Sequence, residues 1–485
     1  MTNVPSRSSS GVRLAGDDYQ HLVTWNEVML ALRPTSDVRD ITVEAPHSYN
    51  LDDVVVRFHG APTRYSQVKH AVDATSPVGT KWLMAPAGKR TLLQKFHDSW
   101  SQMAGDGGLH MQLVTDRDAD STDALMKGLD RHTELLMPVA MSDAQAVADA
   151  RAEWLDHLGI DADELARFLG DLRFRTGRPF AVEIERAQSL MYGNGLNADR
   201  AMVDLGIAMV RQWVQERDRN LDTATLRTMA EQQVGRHQEP SAVLIVQGID
   251  YDLHPEDADE LVDFVGCYPE LDPDLRRDLN DDSEWQQIGH EIAQACGRLK
   301  AAGHQRVVVR GAMRLPVWFV TGANLRHTHG VSIALFQRGA GAIWSSTDAT
   351  PSPVLCTTTS HHIGAGTDIA VAVGVATDPT RGVLGYVQDT GLAVQSVEVI
   401  QPTGGAGPEV ITGSTSAASM AVAVRDAVRD ILEDHPDINE IHLFLATPGG
   451  FAGLLGHRWN AVRPTIIYEH RGAGNGYTPT FRINA

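Results

Sequence analysis

Asp52-Asp53-Val54-Val55-Val56-Arg57-Phe58, the turn Gly60-Ala61-Pro62, and then Ser66-Gln67-Val68-Lys69-His70 decide how the first half of this chain is read. Residues 54–58 form an apolar, β-branched run and read as a strand; residues 65–70 read as its neighbour across the turn. Side chains alternate faces along a strand, so Gln67 and Lys69 point one way while Val68 faces the opposite core. An acid opening the preceding strand meets them at that sheet edge, and Asp52 and Asp53 both stand there. Outward from this pair, residues 19–32 space Leu22, Trp25, Val28, Met29 and Leu32 as the apolar stripe of a helix. Residues 41–43 form a further short strand, residues 91–103 a helix and residues 110–114 another strand. The predicted order is helix, three strands, helix, strand.

Phosphodiester hydrolysis needs what this corner offers. A carboxylate and further oxygen ligands hold a hard divalent cation, which stabilises charge on the phosphate and the leaving oxygen. A lysine beside them orients and helps to deprotonate the attacking water. The corner resembles the PD-(D/E)xK nuclease superfamily. That resemblance implies a restriction-endonuclease-like α/β core, Mg2+ or Mn2+ as cofactor, and Lys69 as the catalytic lysine. Asp53 would be the metal ligand, with Asp52 the neighbour that replaces it if the register shifts by one. Gln67 stands where the superfamily commonly has an acid; its amide oxygen and the Val68 carbonyl would complete the metal's ligands. Gln20 or Glu27, on the first helix, would be supporting ligands.

Residues 142–233 read as almost wholly helical, and Gln238-Glu239-Pro240 reads as a linker. From Ala242 onward apolar strands alternate with helices, the α/β grammar of a largely parallel sheet. An internal repeat runs through this half at an offset of 134 residues, the separation of Gly322 and Gly456. Val307-Val308-Val309 corresponds to Ile441-His442-Leu443. Each leads through a loop to a short helix, residues 315–321 or 451–455, expected to end at Gly322 or Gly456 before strands at 331–336 and 465–469. Two Rossmann-like units are therefore expected, divided near residues 361–366, with His361-His362 in the loop between them.

Val309-Arg310-Gly311, Leu315-Pro316, Gly322 and Ile343-Trp344 in the first copy resemble a SAVED domain, a fused pair of CARF-like units that sense oligonucleotide signals. Residues 442–448, Ala452, Leu455-Gly456 and Ile467-Tyr468-Glu469 carry the same resemblance in the second. Loops that follow parallel strands and feed helix N-termini present N–H groups to phosphates. Arg310, Gly311, Arg314, Arg338, Thr447 and Pro448 are the candidate phosphate contacts, and Trp344 and Tyr468 the candidate base-stacking rings.

The net charge of −20 is unusual for a constitutive nucleic-acid binder, yet five of the six lysines (69, 81, 89, 95 and 127) fall early, beside Arg57, Arg64 and Arg90. Three distant cysteines, Cys267, Cys296 and Cys356, make neither a disulfide framework nor a zinc pattern. Residues 1–11 read as a polar tail without a signal-peptide core, and no stretch is apolar enough to span a bilayer, so a soluble, cytoplasmic protein is expected. His290-Glu291 lacks the second histidine of a zinc-protease helix, Gly404-Gly405-Ala406-Gly407 leads only to Pro408, and no Walker sequence occurs.

The expected organisation is a nuclease core over 1–141, its helical extension and linker over 142–239, and a SAVED domain over 240–485 (240–360 and 366–485). The two resemblances together match CBASS effector endonucleases. They imply degradation of double-stranded DNA with little sequence preference once a cyclic oligonucleotide, typically an adenine-containing cyclic trinucleotide, drives self-association. The alternative is a nucleotide-responsive protein whose nuclease-like domain binds DNA or a partner without cutting it. A dehydrogenase on the second half is disfavoured by the missing Gly-x-Gly-x-x-Gly turn.

Overall fold

Helix α1 (Ser9–Ala31) turns Leu22, Trp25, Val28 and Met29 into one buried stripe, as their spacing predicts. Residues 9–11, expected within a polar tail, lie in this helix. The computed structural model describes residues 9–45, 51–71, 76–103, 108–216, 220–270, 272–337, 342–350, 356–472 and 474–484. The chain divides into two units, Met1–Gln238 and Glu239–Ala485.

In the first unit, α1 is followed by β1 (Val38–Val43), β2 (Val54–Phe58), β3 (Thr63–Lys69) and α2 (Thr80–Leu83). A small hairpin of β4 (Pro86–Ala87) and β5 (Arg90–Thr91) leads to α3 (Leu92–Met103) and β6 (Leu109–Thr115). Then come α4 (Met137–Ala140), α5 (Gln145–Leu158), α6 (Ala162–Gly170) and β7 (Leu172–Arg175). The unit ends with α7 (Phe180–Gly193), α8 (Arg200–Glu216), β8 (Asn220–Asp222) and α9 (Thr223–Val234). The six-stranded sheet runs β7-β6-β3-β2-β1-β8, with β3, β6 and β7 parallel and the remaining pairs antiparallel.

Two cores cover the sheet. Val54 and Val56 join α1, α7 and α8 in one, where Trp25 packs so closely on α8 that a Cβ at Gly206 would meet its ring. Met111 and Leu113 of β6 join α3, α5 and α6 in the other, with Tyr65 packed against it. The stretch read as almost wholly helical thus supplies both edge strands. Leu172-Arg173-Phe174-Arg175 is too short and too charged to stand out from flanking helical periodicity, and parallel pairing with β6 overrides its local pattern.

The second unit opens with β9 (Ala242–Gln247), buried at every residue, then β10 (Glu260–Asp263), α10 (Glu284–Ala301), β11 (Arg306–Arg310), α11 (Leu315–Asn324), β12 (Ser332–Gln337) and β13 (Ala342–Ser345). It continues with β14 (Cys356–His362), β15 (Asp368–Gly374), α12 (Thr380–Thr390), β16 (Val394–Pro402) and α13 (Ser414–Asp434). It closes with β17 (Ile441–Ala446), α14 (Gly449–Arg458), β18 (Thr465–His470) and β19 (Tyr477–Ile483). One sheet runs β10-β9-β11-β12-β13 and the other β14-β16-β15-β17-β18-β19. With β14 set aside, the strands correspond one to one in the same order, the last strand of each antiparallel to its neighbour.

Helices α11 and α14 occupy equivalent places and differ in numbering by 134 at both ends. Gly322 and Gly456 lie inside them and do not end them. A Cβ at Gly322 would strike the Gly453 carbonyl, and one at Gly456 would strike the Phe319 carbonyl. Each glycine therefore serves close helix–helix approach, which outweighs its low helix propensity. The loop expected at residues 361–366 is in part a strand. His361 and His362 belong to β14, which pairs antiparallel with β16. Its Thr-Thr-Thr-Ser centre is exposed at an edge, so it lacks the apolar alternation that marks a half-buried strand.

Candidate functional site

The antiparallel register of β2 and β3 pairs Val54 with Ser66, which sets Asp53 across from Gln67 at the end of the ladder. There the Asp53 Oδ2 atom accepts a hydrogen bond from Gln67 Nε2 and another, 2.7 Å long, from the Val68 backbone N–H. Lys69 Nζ stands 4.0 Å from the same oxygen. The three residues chosen from the sequence converge on one point. The Lys69 side chain is 43% exposed and that of Asp53 15%, so the corner opens to solvent on the lysine's side. Burial raises the Asp53 carboxyl above its ordinary range; the Lys69 ammonium, the Val68 N–H and Gln67 oppose that rise, and Asp52 adds to it.

Polar direction differs from expectation at two of these residues. Gln67 turns its amide nitrogen to Asp53, and Val68 offers its N–H there, because the carboxylate draws the nearest donors. Glu27 is not brought to this point. It is buried and paired with Arg64, with Arg186 Nη1 at 3.8 Å. Arg64 is an even-numbered position of β3, so Glu27 lies on the other face of the sheet from Gln67 and Lys69. Gln20 is half-buried, its carbonyl accepting from Thr24 Oγ1 at 2.9 Å, and no described contact joins its side chain to Asp53.

A feature that the sequence reading missed lies one residue beyond Lys69. Parallel pairing of β3 with β6 ends at Lys69 and Thr115, so His70 and Asp116 leave the sheet side by side, 2.8 Å apart. Asp116 also accepts the Ala71 N–H at 2.9 Å, and Tyr19 stacks on the His70 ring at 5.2 Å. This clamp fixes the chain's exit from the strand that carries Lys69. Its signal was available: an acid two residues beyond the strand read over residues 110–114.

Among the described residues no group of three or more His, Cys, Asp or Glu side chains is placed to hold a metal. With its amide turned over, Gln67 would add a neutral oxygen to the Asp53 carboxylate and to Asp52, which acts on it, and the Val68 carbonyl is the further oxygen the residues offer. Such a set suits Mg2+, which uses one or two carboxylates and keeps several waters.

In the second unit the candidate residues are mostly engaged within the fold. Arg310 is buried and its Nη2 reaches Asp252 at 3.1 Å, Asp257 at 3.0 Å and the His254 carbonyl at 2.8 Å. Gly311 has φ +135°, and a Cβ there would strike the Val246 carbonyl, which accounts for the glycine. Trp344 is 7% exposed within the main core. Tyr468 stacks on Phe444 at 4.4 Å and bonds His442 Nδ1 through its hydroxyl at 2.9 Å. Thr447 and Pro448 sit between β17 and α14, Pro448 at the helix N-cap. Arg338 lies outside the described residues.

Arg314, at the N-cap of α11, bonds the Arg276 carbonyl, and its Nε lies 3.9 Å from Glu469. Burial pushes Glu469 up to about 7, against the pull of Arg314 and Arg277; Asp278 adds to the rise. In the sequence Glu469 stands out only through the resemblance carried by Ile467-Tyr468-Glu469. Its burial is set by β18 packing, which a short Tyr-Glu-His run does not announce.

Among the described residues no helix is long and apolar enough to cross a membrane. Residues 286–483 match a family described as the SMODS-associated and fused to various effectors sensor domain, SAVED. A protein named CD-NTase-associated protein 4 from Enterobacter hormaechei is 22% identical over 503 aligned residues, spanning 96% of this chain and 98% of that one. A solved Acinetobacter baumannii Cap4 SAVED/CARF-domain containing receptor, holding the cyclic trinucleotide 2′3′3′-cAAA, aligns at 14% identity and TM-score 0.44 over 100% of both chains. A Moraxella osloensis Cap4 receptor aligns at 13% identity and TM-score 0.42 over 97% of this chain and 99% of its own. The chain is thus an α/β protein whose residues 286–483 match the SAVED family, similar along nearly its whole length to a CD-NTase-associated protein 4.

Proposed function

We propose that this chain is a cytoplasmic anti-phage effector endonuclease. On this reading, residues 1–239 cut double-stranded DNA and residues 240–485 bind a cyclic oligonucleotide that drives self-association. The convergence of Asp53, Gln67 and Lys69 at one solvent-facing sheet corner carries the first part. The SAVED match carries the second. An adenine-containing cyclic trinucleotide is the first ligand to try.

The Asp53 carboxylate, the Gln67 amide oxygen after rotation of the amide, and the Val68 carbonyl would hold Mg2+ or Mn2+, with Asp52 alongside. When bound, that ion stabilises charge on the scissile phosphate and its leaving oxygen. Lys69 orients the attacking water and favours its deprotonation. Exposed Lys81, Lys89 and Arg90 supply positive charge along the same unit for the DNA backbone. Self-association gathers several such faces onto one duplex, which offsets the chain's net charge of −20. Of the second-unit candidates, Arg314, Thr447 and Pro448 stand where loops meet helix N-termini, the place for phosphate contacts. Trp344 and Tyr468 then act by shaping the wall behind them.

Incubation of the full chain with plasmid, Mg2+ and a panel of cyclic oligonucleotides tests this. Cutting that depends on one ligand is the expected result. The second reading, a nuclease-like domain that binds without cutting, is favoured by the Gln67 amide nitrogen facing Asp53. It predicts ligand-dependent DNA retention with intact plasmid under every condition.

A further inference from the structure

Within the second unit, the strand ends that carry Arg310, Arg314 and Thr447 leave the opposite edge of the sheets unassigned. At that edge a recess of 370 Å³ opens at the start of β12 and the end of β13. His327, Ser332, Ser346, Thr347 and Arg458 line it. Arg458, the last residue of α14, reaches across from the second half, its Nη2 donating to the Ser346 carbonyl at 2.7 Å.

Charge in this recess is one-sided. Arg458 is half-buried, and its guanidinium is held below the ordinary arginine range by burial and then by Arg425. His327 is lowered by burial and then by the same two arginines. Among the described residues no carboxylate opposes that lowering at either group. Arg425 itself is paired with Asp426 at 2.6 Å and bonded to Asn460. Asp348, next along the chain from Thr347, takes a 2.6 Å hydrogen bond from Ser414. A guanidinium withdrawn from water without a counter-charge is costly, and an anion relieves that cost.

We propose that this recess binds a phosphate dianion, either free phosphate or a phosphomonoester. A phosphate dianion offers acceptors enough for a guanidinium, an imidazole and neighbouring hydroxyls together. The volume lies near the lower end of small-molecule sites, and apart from His327 no ring lines the recess to stack on a base. Recognition is therefore of the phosphate, whether free or at the end of a nucleotide.

Isothermal titration of the full chain with inorganic phosphate, AMP and adenosine tests the assignment. Phosphate and AMP should each saturate one site, and adenosine should give no heat. Tighter binding of AMP identifies a nucleotide as the source; equal binding identifies free phosphate. Arg458→Gln should weaken phosphate by about tenfold or more, the effect of losing a charge-assisted hydrogen bond. If that variant does not fold, Ser332→Asp decides, since it keeps Arg458 bonded to Ser346 and places a carboxylate beside it. Saturable phosphate binding should then disappear while the thermal melt is preserved. Absence of saturable binding by the unaltered chain at millimolar phosphate overturns the proposal, as does binding of unchanged strength in both variants. Neither result bears on nuclease activity.

Discussion

Asp53 and Glu469 are both largely buried carboxylates with a cation about 4 Å away, at 4.0 Å (Lys69) and 3.9 Å (Arg314). Burial raises both. Asp53 also receives two N–H donors, which favour its anion, and it looks towards an exposed lysine. Glu469 is raised to about 7, so it changes charge near neutrality. Distance to a cation is therefore a poor guide to charge state; the donors that touch the oxygens and the reach of solvent decide it.

Removing the lysine breaks the comparison hardest. Lys69→Ala should reduce plasmid cleavage by about 10²- to 10⁴-fold, the usual contribution of a positioned proton-transfer group, with an unchanged thermal melt. It should also raise the Asp53 carboxyl further, so Mg2+ binding followed by calorimetry should need a higher pH. Comparable cleavage by the variant would remove Lys69 from the mechanism.

Trp344→Ala sharpens the other side. If the ring supports the wall of the second unit, the loss should be about 3–5 kcal/mol of stability, seen by denaturant unfolding. A stable variant whose ligand affinity falls by about 1–3 kcal/mol would instead mean that the ring stacks on a base.

Glu469→Gln should have a smaller, pH-dependent effect. The folded-state pKa of Glu469 lies above the unfolded value of about 4.3. Its contribution to stability is thus full below that value and is lost as pH rises through about 7. Melts of the unaltered chain between acid and neutral pH should decline more steeply than those of the variant. Parallel curves would show that Glu469 ionises normally.

Gln67→Glu should have the mildest effect. It adds a second acid opposite Asp53, so half-maximal cleavage should require less Mg2+. Complete inactivity would show that the amide's N–H donors are needed.

How legible these places were follows from chain distance. Asp53, Gln67 and Lys69 lie on two strands joined by one turn, so alternation and turn chemistry alone bring them together. The pairing of Arg310 within the fold was not legible, because its partners, Asp252 and Asp257, sit more than fifty residues earlier in a loop without periodicity. Strands β7, β8 and β14 were missed for a related reason. Each is an edge strand defined by its neighbour, and none has an apolar pattern long enough to stand out from its surroundings.

The contact between α11 and α14 has a consequence for the history of the chain. Gly322 meets Gly453 and the backbone nitrogen of His457; Gly456 meets Phe319 and that of Ala323. Subtracting 134 from one set gives the other, the reciprocity of a two-fold homodimer. Such an interface is what remains when two copies of one ancestral subunit are joined into a single polypeptide. In such an ancestor one substitution would strike the interface twice, and assembly would depend on concentration. Joined, the copies are always paired, and each is free to diverge. This release allows Arg458 to stand where the other copy has Asn324, and the second sheet to carry a strand, β14, that the first lacks.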